Sequence, residues 1–176
     1  MATWDSRGLR GSQLENIINQ SNEKYRELGL ALVQKIPTPI KPVEIDDNRH
    51  ITLAYFEQKS TVDYIGVVQS FPVCFDAKEC ASNSFSFANL HEHQFNFMQD
   101  FENQQGISFL LIYFSKQDKY YYMRFNELKK FYNRATDGIK KSVNIDELDE
   151  KYFLEPKLGV PLHYLEGINK DIHERD

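Results

Sequence analysis

The sequence predicts an α/β fold with a mixed central sheet flanked by helices, in a single domain spanning residues 1–176. Two patterns carry this prediction. Short apolar stretches rich in β-branched residues are typical of buried strands. Between them lie longer segments whose apolar residues recur every three or four positions, as in amphipathic helices. With 41% hydrophobic and 14% aromatic residues, the chain is long enough to bury a sizeable core.

The composition argues against several classes of protein. No apolar run approaches the ~20 residues of a membrane span. The N-terminus lacks the apolar core of a signal peptide, so a cytoplasmic location is expected. We expect Cys74 to be a small buried hydrophobe and Cys80 to begin a loop, without a disulfide or metal-ligand spacing. The net charge of −5 argues against DNA binding by bulk charge, but leaves room for a local basic surface.

The chain is predicted to begin with a loosely ordered tail, 1–11, followed by a helix and a strand. Ser12 and Glu15 have the spacing of a capping box, so the helix should begin at Ser12. The strand covers Leu30–Ile36 and is apolar. The core face of the helix comprises Leu14, Ile17, Ile18, Tyr25 and Leu28.

The stretch after this strand is rich in proline and should leave the sheet. Pro37, Pro39 and Pro42 cannot donate to a ladder, so the segment is expected to be extended and stiff. A polar turn at Asp46–Arg49 reverses the chain, and Ile51–Phe56 returns it to the sheet. A long surface loop would explain this pattern without any functional role.

The rest of the chain is organised around two adjacent strands, Val62–Val68 and Val73–Lys78. Because strand side chains alternate between faces, Asp76 and Lys78 share one face. If the strands pair, Asp63 can point into the same space. Two carboxylates and a lysine could hold a hard cation and hydrolyse a phosphodiester. A salt bridge at the sheet edge is the structural alternative.

The C-terminal half supplies the remaining helices and strands. His91 and His93 are two positions apart on a predicted helix and should face different ways, as ordinary polar residues do. The predicted elements are a polar loop over Glu79–Phe87, a helix from Asn89 to Gln104, a buried strand over Ile107–Phe114, its hairpin partner Lys119–Phe125, a helix capped by Asn126 with Leu128, Phe131, Tyr132 and Ala135 facing the core, and a terminal helix over Leu162–Ile172.

Basic residues concentrate around the helix that follows Asn126. Lys130 and Arg134 lie one turn apart on its outer face, and the nearby cations are Arg124, Lys129, Lys140 and Lys141. This cluster is the best candidate for a DNA-backbone contact. A solvated helix face explains the same charges equally well.

Several short segments of the sequence resemble those of one known family. The pattern Asp63…Asp76-Ala77-Lys78 looks like the core of PD-(D/E)XK nucleases. The matching segments are GLRGSQLENIINQSN (8–22), KIPTP (35–39), AYFEQKSTVDYIG (54–66), FDAKE (75–79), NLHEHQ (89–94) and KKSVNIDEL (140–148). In this order, and over nearly all of the chain, they resemble the RecU family of Holliday junction resolvases.

The resemblance implies a restriction-endonuclease-like fold with a protruding stalk at about 36–55 that enters a four-way DNA junction. Lys35 and Lys41 would then meet phosphates. Tyr55 or Phe56 could stack on exposed bases, or belong to the core instead. Only Arg7 and Arg10 remain of the basic tail that this family often carries, and Arg10 is the candidate DNA contact there.

A metal site is implied as well. Asp63 and Asp76 would hold Mg²⁺, for which Mn²⁺ can substitute, and Thr61 and Gln94 would complete the shell directly or through water. Lys78 would stabilise the phosphoryl charge or orient the attacking water. The family commonly has Glu in place of Asp76. Glu15, besides capping its helix, could lie near the metal.

The implied activity is symmetric nicking of Holliday junctions by a homodimer, in recombination and DNA repair, leaving 5′-phosphates. A RecA-type recombinase and a branch-migration helicase are the implied protein partners. A rival hypothesis is a non-catalytic junction-binding protein that regulates a recombinase. A third is a structural α/β protein with a salt-bridged sheet edge.

Overall fold

A computed structural model describes residues 13–56 and 61–175 and shows a mixed central sheet flanked by helices. The sheet has the strand order β1-β4-β5-β7-β8-β10, in which β5 and β7 are parallel and the other neighbours antiparallel. In chain order the elements are α1 Gln13–Glu27, β1 Ala31–Lys35, β2 Ile40–Ile45, β3 Ile51–Phe56, β4 Tyr64–Val68, β5 Phe71–Cys80, β6 Ser84–Ser86, α2 Glu92–Asn103, β7 Ile107–Phe114, β8 Lys119–Arg124, α3 Phe125–Thr136, β9 Ser142–Asn144, β10 Phe153–Leu154 and α4 Leu165–His173. The predicted α/β class is confirmed.

The core lies on both faces of the central strands. All eight residues of β7 are buried, as its unbroken apolar run predicts for a strand covered on both sides. On one face, Phe75 of β5 stacks between Tyr64 and Phe109 and contacts Tyr164, which precedes α4. The next residue along β5, Asp76, therefore points to the opposite face. Within the described residues, no helix is long and apolar enough to cross a membrane.

The β4–β5 hairpin is tighter than the sequence suggests. Val68 pairs with Phe71, so only Gln69 and Ser70 form the turn, both with positive φ (44° and 82°). Such two-residue turns usually contain Gly or Asn, and their absence made the turn look longer. The predicted strand boundaries were wrong in consequence: β5 starts at Phe71 and runs to Cys80, and Lys78 lies within it.

The proline-rich stretch leaves the central sheet and is followed by a reversal of the chain at Asp46–Arg49, both as predicted. It pairs with Ile51–Phe56 as a separate two-stranded antiparallel hairpin, β2–β3, in which every strand residue is exposed. Pro42 lies next to a shift of register in β2, a position where a strand tolerates a residue without an N–H. Tyr55 and Phe56 are exposed, so neither belongs to the core.

Three predicted helix starts were displaced. Asn89 ends a short 3₁₀ turn, and α2 begins at Glu92 after His91. Helix α3 begins at Phe125 directly after β8, which places Asn126 inside its first turn. Helix α4 begins at Leu165 instead of the predicted Leu162. Ser12, the predicted start of α1, lies outside the described residues. Part of the predicted polar loop forms a short strand, β6, which pairs with β9.

Gly66 allows the edge strand β1 to approach β4 closely. A Cβ at this position would lie 2.2 Å from Leu32 O and 2.6 Å from Val33 Cα. Because these are backbone atoms, the contact cannot be relieved by a side-chain rotation. We expect Gly66→Ala to destabilise the protein by about 3 kcal/mol in chemical denaturation.

Gly29→Ala is the matched control for this prediction. Gly29 has a φ of +66° but open space around it, so alanine there introduces backbone strain alone, about 1 kcal/mol. If the two variants lost equal amounts of unfolding free energy, β1 and β4 would lie further apart than the structure places them.

Candidate active site

A buried polar cluster lies between β5 and the first turn of α2. Asp76 is fully buried, and its Oδ1 accepts a 2.8 Å hydrogen bond from Gln94 Nε2. The ammonium group of Lys78 forms an ion pair with Asp76 Oδ2 and donates to Gln94 Oε1 at 3.3 Å. The alternation of side chains along β5 brings Asp76 and Lys78 together, and the packing of α2 adds Gln94.

The turn between β4 and β5 brings the second carboxylate to the cluster. Tyr64 pairs with Phe75, so Asp63 and Asp76 are the next residues of the two strands. Asp63 lies just before β4, and its Oδ2 accepts a 2.9 Å hydrogen bond from the backbone N–H of Ala77. The structure thus brings together Asp63, Asp76, Lys78 and Gln94, four of the predicted site residues.

Burial changes the acidity of Asp76. The loss of hydration disfavours the carboxylate, and the charge of Asp63 acts in the same direction, while Lys78 opposes both. The net effect raises the pKa of Asp76 from an ordinary 3.8 to about 7. A further positive charge beside this carboxyl would favour its ionised form near neutral pH.

The raised pKa predicts how stability depends on pH. An unfolded chain releases the Asp76 proton near pH 3.8, whereas the folded protein holds it to about pH 7. The stability that this proton contributes is complete below pH 3.8 and is lost as the pH rises through 7. The amide introduced by Asp76→Asn cannot ionise, so the free energy of unfolding of this variant, relative to wild type, should increase between pH 4 and pH 7.

This relative gain is at most about 4 kcal/mol and can be measured by urea denaturation with EDTA present. Asp100→Asn is the control, because Asp100 is an exposed residue of α2. A pH-independent difference for Asp76→Asn would show that the carboxyl ionises in the folded protein as it does in the unfolded chain.

The residues present fit a hard divalent cation. Asp76 Oδ2 is buried, and its charged partner among the described residues is the Lys78 ammonium group. Within residues 13–56 and 61–175, no three His, Cys, Asp or Glu side chains form a metal cluster. Two carboxylates suit Mg²⁺, which keeps several of its own waters, better than Zn²⁺.

The other polar residues near the site have different surroundings. Thr61 is half-buried two positions before Asp63, and its role as a ligand stays a prediction. The rings of His91 and His93 stack at 5.4 Å, with planes 12° apart. The expectation that they face different ways was wrong, because His91 precedes the helix rather than lying in it.

The predicted basic patch is partly neutralised by an acid. Arg134 and Lys140 both pair with Glu147, at 3.7 Å and 2.5 Å. Lys130 and Lys141 are exposed and form no ion pair with another described residue. Sequence reasoning missed Glu147, because a 3₁₀ turn brings it to α3 through tertiary packing alone.

The remaining predicted DNA contacts are distributed differently. Lys35, at the end of β1, forms a 2.8 Å ion pair with Glu15 of α1. Lys41 is exposed on β2, and Arg10 lies outside the described residues. Glu79, which sequence reasoning did not select, accepts a 2.8 Å hydrogen bond from the N–H of Leu14 and so ties the start of α1 to β5.

The fold and the cluster define a class of protein: a mixed-sheet, restriction-endonuclease-like domain with an Asp-x-Lys pair whose acid is buried, and a second carboxylate at the start of the adjacent strand. A family model described as Recombination protein U matches residues 9–170. The chain belongs to the RecU family.

Curated relatives support the same assignment over most of the chain. A protein from Pediococcus pentosaceus, named Holliday junction resolvase RecU, is 38% identical over 171 residues, covering 94% of this chain and 85% of the relative. Proteins of the same name from Oceanobacillus iheyensis and Staphylococcus aureus are 39% and 36% identical. They match 91% and 93% of this chain, and 82% and 81% of their own lengths.

Proposed function

We propose that this protein is a metal-dependent endonuclease that resolves Holliday junctions in homologous recombination and DNA repair. One observation carries the proposal: Asp76 is fully buried on the central sheet and paired with the half-buried Lys78, with Asp63 beside them and Gln94 bonded to both members of the pair. Burial of a carboxylate beside a second carboxylate is costly for a structural element. The names of the relatives supply the substrate class.

Asp63 and Asp76 would hold Mg²⁺, with Mn²⁺ as a substitute and Thr61 as a further oxygen donor. The bound metal would supply a water acidic enough to act as a nucleophile near neutral pH. The chain's own residues would orient the reacting groups. Asp63 is held in place by the N–H of Ala77, and Lys78 would bring its positive charge to the phosphoryl oxygens as negative charge gathers there.

The reaction would be an in-line displacement at phosphorus. A bond forms between the water oxygen and phosphorus while the bond to the 3′ oxygen breaks. The water loses a proton, and the leaving 3′ oxygen takes up a proton from solvent. The products would be a 5′-phosphate and a 3′-hydroxyl. Asp76 keeps the carboxylate of the family's usual Glu, so metal binding is retained in this proposal. Because Asp76 reaches about 1.5 Å less far than Glu, we propose that the activity is weaker.

The β2–β3 hairpin is the proposed stalk. It lies outside the central sheet, and its strand residues are exposed, including Lys41. Tyr55 and Phe56, with 52% and 74% of their surface exposed, are available to stack on unpaired bases at the branch point. Lys35 lies at the base of the hairpin, where release from Glu15 would let it meet a phosphate.

The proposed assembly is a cytoplasmic homodimer with one site per subunit. A four-way junction has two-fold symmetry, so two sites related in the same way can nick opposing strands. Arg10, Lys130, Arg134, Lys140 and Lys141 are proposed to contact the DNA backbone. A RecA-type recombinase and a branch-migration helicase are the proposed protein partners.

The test is nicking of a synthetic mobile four-way junction with Mg²⁺, beside a linear duplex of the same sequence. The proposal expects paired, symmetric cuts near the branch point of the junction and little cutting of the duplex. Tight junction binding without cuts in Mg²⁺ or Mn²⁺ would overturn it and favour a junction-binding regulator of a recombinase.

A further inference from the structure

An open groove of about 930 Å³ lies at one edge of the central sheet, where the short strand β10 pairs with the start of β8. Tyr120, Phe153 and Leu154 give it an apolar lining. The turn between β7 and β8 and the 3₁₀ turns that precede β10 form its sides. This volume is within the range of ligand-binding sites in proteins.

Four acidic residues line the groove, against a single lysine. The acids, all exposed, are Asp118, Asp146, Glu150 and Glu155. None of them forms an ion pair with another residue of 13–56 or 61–175, whereas the nearby Glu147 is paired with both Arg134 and Lys140. The groove therefore carries an uncompensated negative charge, which makes it complementary to a cationic ligand.

The lysine of the groove shows how a cation is held there. The Lys119 ammonium group lies 5.2 Å from the centre of the Phe153 ring, a distance typical of a cation–π contact. The Phe153 ring is fixed against Tyr121, with the two centres 5.0 Å apart. The groove thus places a positive charge on an aromatic surface between carboxylates, a setting that suits the side chains of lysine and arginine.

The position of the groove separates it from the proposed DNA-binding parts. Strand β1, which leads into the proposed stalk, and β10 are opposite edges of the six-stranded sheet. Asp76 and Lys78 lie on β5, three strands from β10, or about 14 Å at the usual strand spacing. The carboxylates of the groove would repel DNA phosphates, and its apolar lining favours a peptide over a small cation.

We propose that this groove binds an extended segment of a partner protein in which lysine or arginine alternates with apolar residues. Successive side chains of an extended chain point to opposite sides. Every second residue can therefore face Phe153 and Leu154, while the basic residues between them reach the carboxylates at the rim. A partner bound here would leave the opposite edge of the sheet open to a DNA junction. The proposal does not depend on the nuclease function.

The test is fluorescence anisotropy with the full chain and a labelled peptide of alternating arginine and leucine. The matched probe has glutamate in place of arginine. We expect wild type to bind the arginine peptide and not the glutamate peptide, and added salt to weaken the binding. Glu150→Lys combined with Glu155→Lys should weaken it by about 10-fold or more, because two attractions become repulsions.

A second double variant controls for net charge. Glu23→Lys combined with Asp100→Lys makes the same change in charge at exposed positions of α1 and α2, outside the groove, and should bind the peptide as wild type does. Equal weakening in both double variants would mean that bulk charge alone attracts the peptide, and would overturn the proposal. Failure of wild type to bind the arginine peptide, or equal binding of the glutamate peptide, would overturn it as well.

Hydrogen exchange locates the bound peptide. We expect slower exchange of backbone amides in 117–120 and 145–156 with the arginine peptide, and no change in β2–β3. Protection confined to β2–β3 would overturn the proposal. A four-way junction in EDTA should leave 145–156 unprotected, and protection there would assign the groove to DNA instead. If the protein nicked no junction, the proposed function would fail, while these measurements would still test the groove.

Discussion

Replacing Lys78 with alanine should reduce junction nicking by about 10²–10³-fold at saturating Mg²⁺. Among the described residues, the Lys78 ammonium group is the cation that contacts both Asp76 and Gln94. Without it, negative charge that develops on the phosphoryl oxygens has no partner on the protein side. The measurement is the single-turnover nicking rate of a mobile four-way junction.

The fold should survive this substitution. Lys78 lowers the pKa of Asp76, so its removal lets the buried carboxyl take up a proton instead of remaining an unpaired charge. Melting temperature and junction binding in EDTA should therefore stay close to wild type. Lys116→Ala, in the exposed turn between β7 and β8, is the control for loss of one positive charge. Nicking by Lys78→Ala at the wild-type rate would remove Lys78 from the mechanism.

Replacing Asp76 with alanine should have an effect of at least the same size, through the metal. Asp76 is the fully buried carboxylate of the cluster, and its loss leaves Asp63 as the single acid there. We expect Ca²⁺ and Mg²⁺ affinity, measured by titration calorimetry at about pH 8, to fall by about 100-fold or more. Nicking should fall by about 10³-fold.

Two comparison variants sharpen this result. Asp100→Ala removes an exposed acid from α2 and should bind metal as wild type does. Asp76→Glu restores the carboxylate one methylene further out, at the length that is usual in this family, and should keep metal binding and match or exceed the wild-type rate. Unchanged metal affinity in Asp76→Ala would place the metal elsewhere in the molecule.

Some features of the molecule could be predicted from its sequence, and others could not. Strand alternation alone put Asp76 and Lys78 on one face. The three prolines after β1 indicated that the stretch containing them leaves the sheet. The turn at Gln69–Ser70 was misjudged, because positive φ at residues other than Gly or Asn leaves no compositional signal. Helix starts were misplaced where a 3₁₀ turn or a strand leads directly into the helix.

The sequence by itself determined the periodic features of this protein, because strand and helix periods follow from backbone geometry. It therefore determined the fold class, the fully buried β7 and the pairing of an acid with a lysine on β5. Only the tertiary structure decided which distant groups meet that pair. The β4–β5 register brought Asp63, the packing of α2 brought Gln94, and a remote turn placed Glu147 against the basic patch. Such contacts depend on the packing of the whole chain, which no local period encodes.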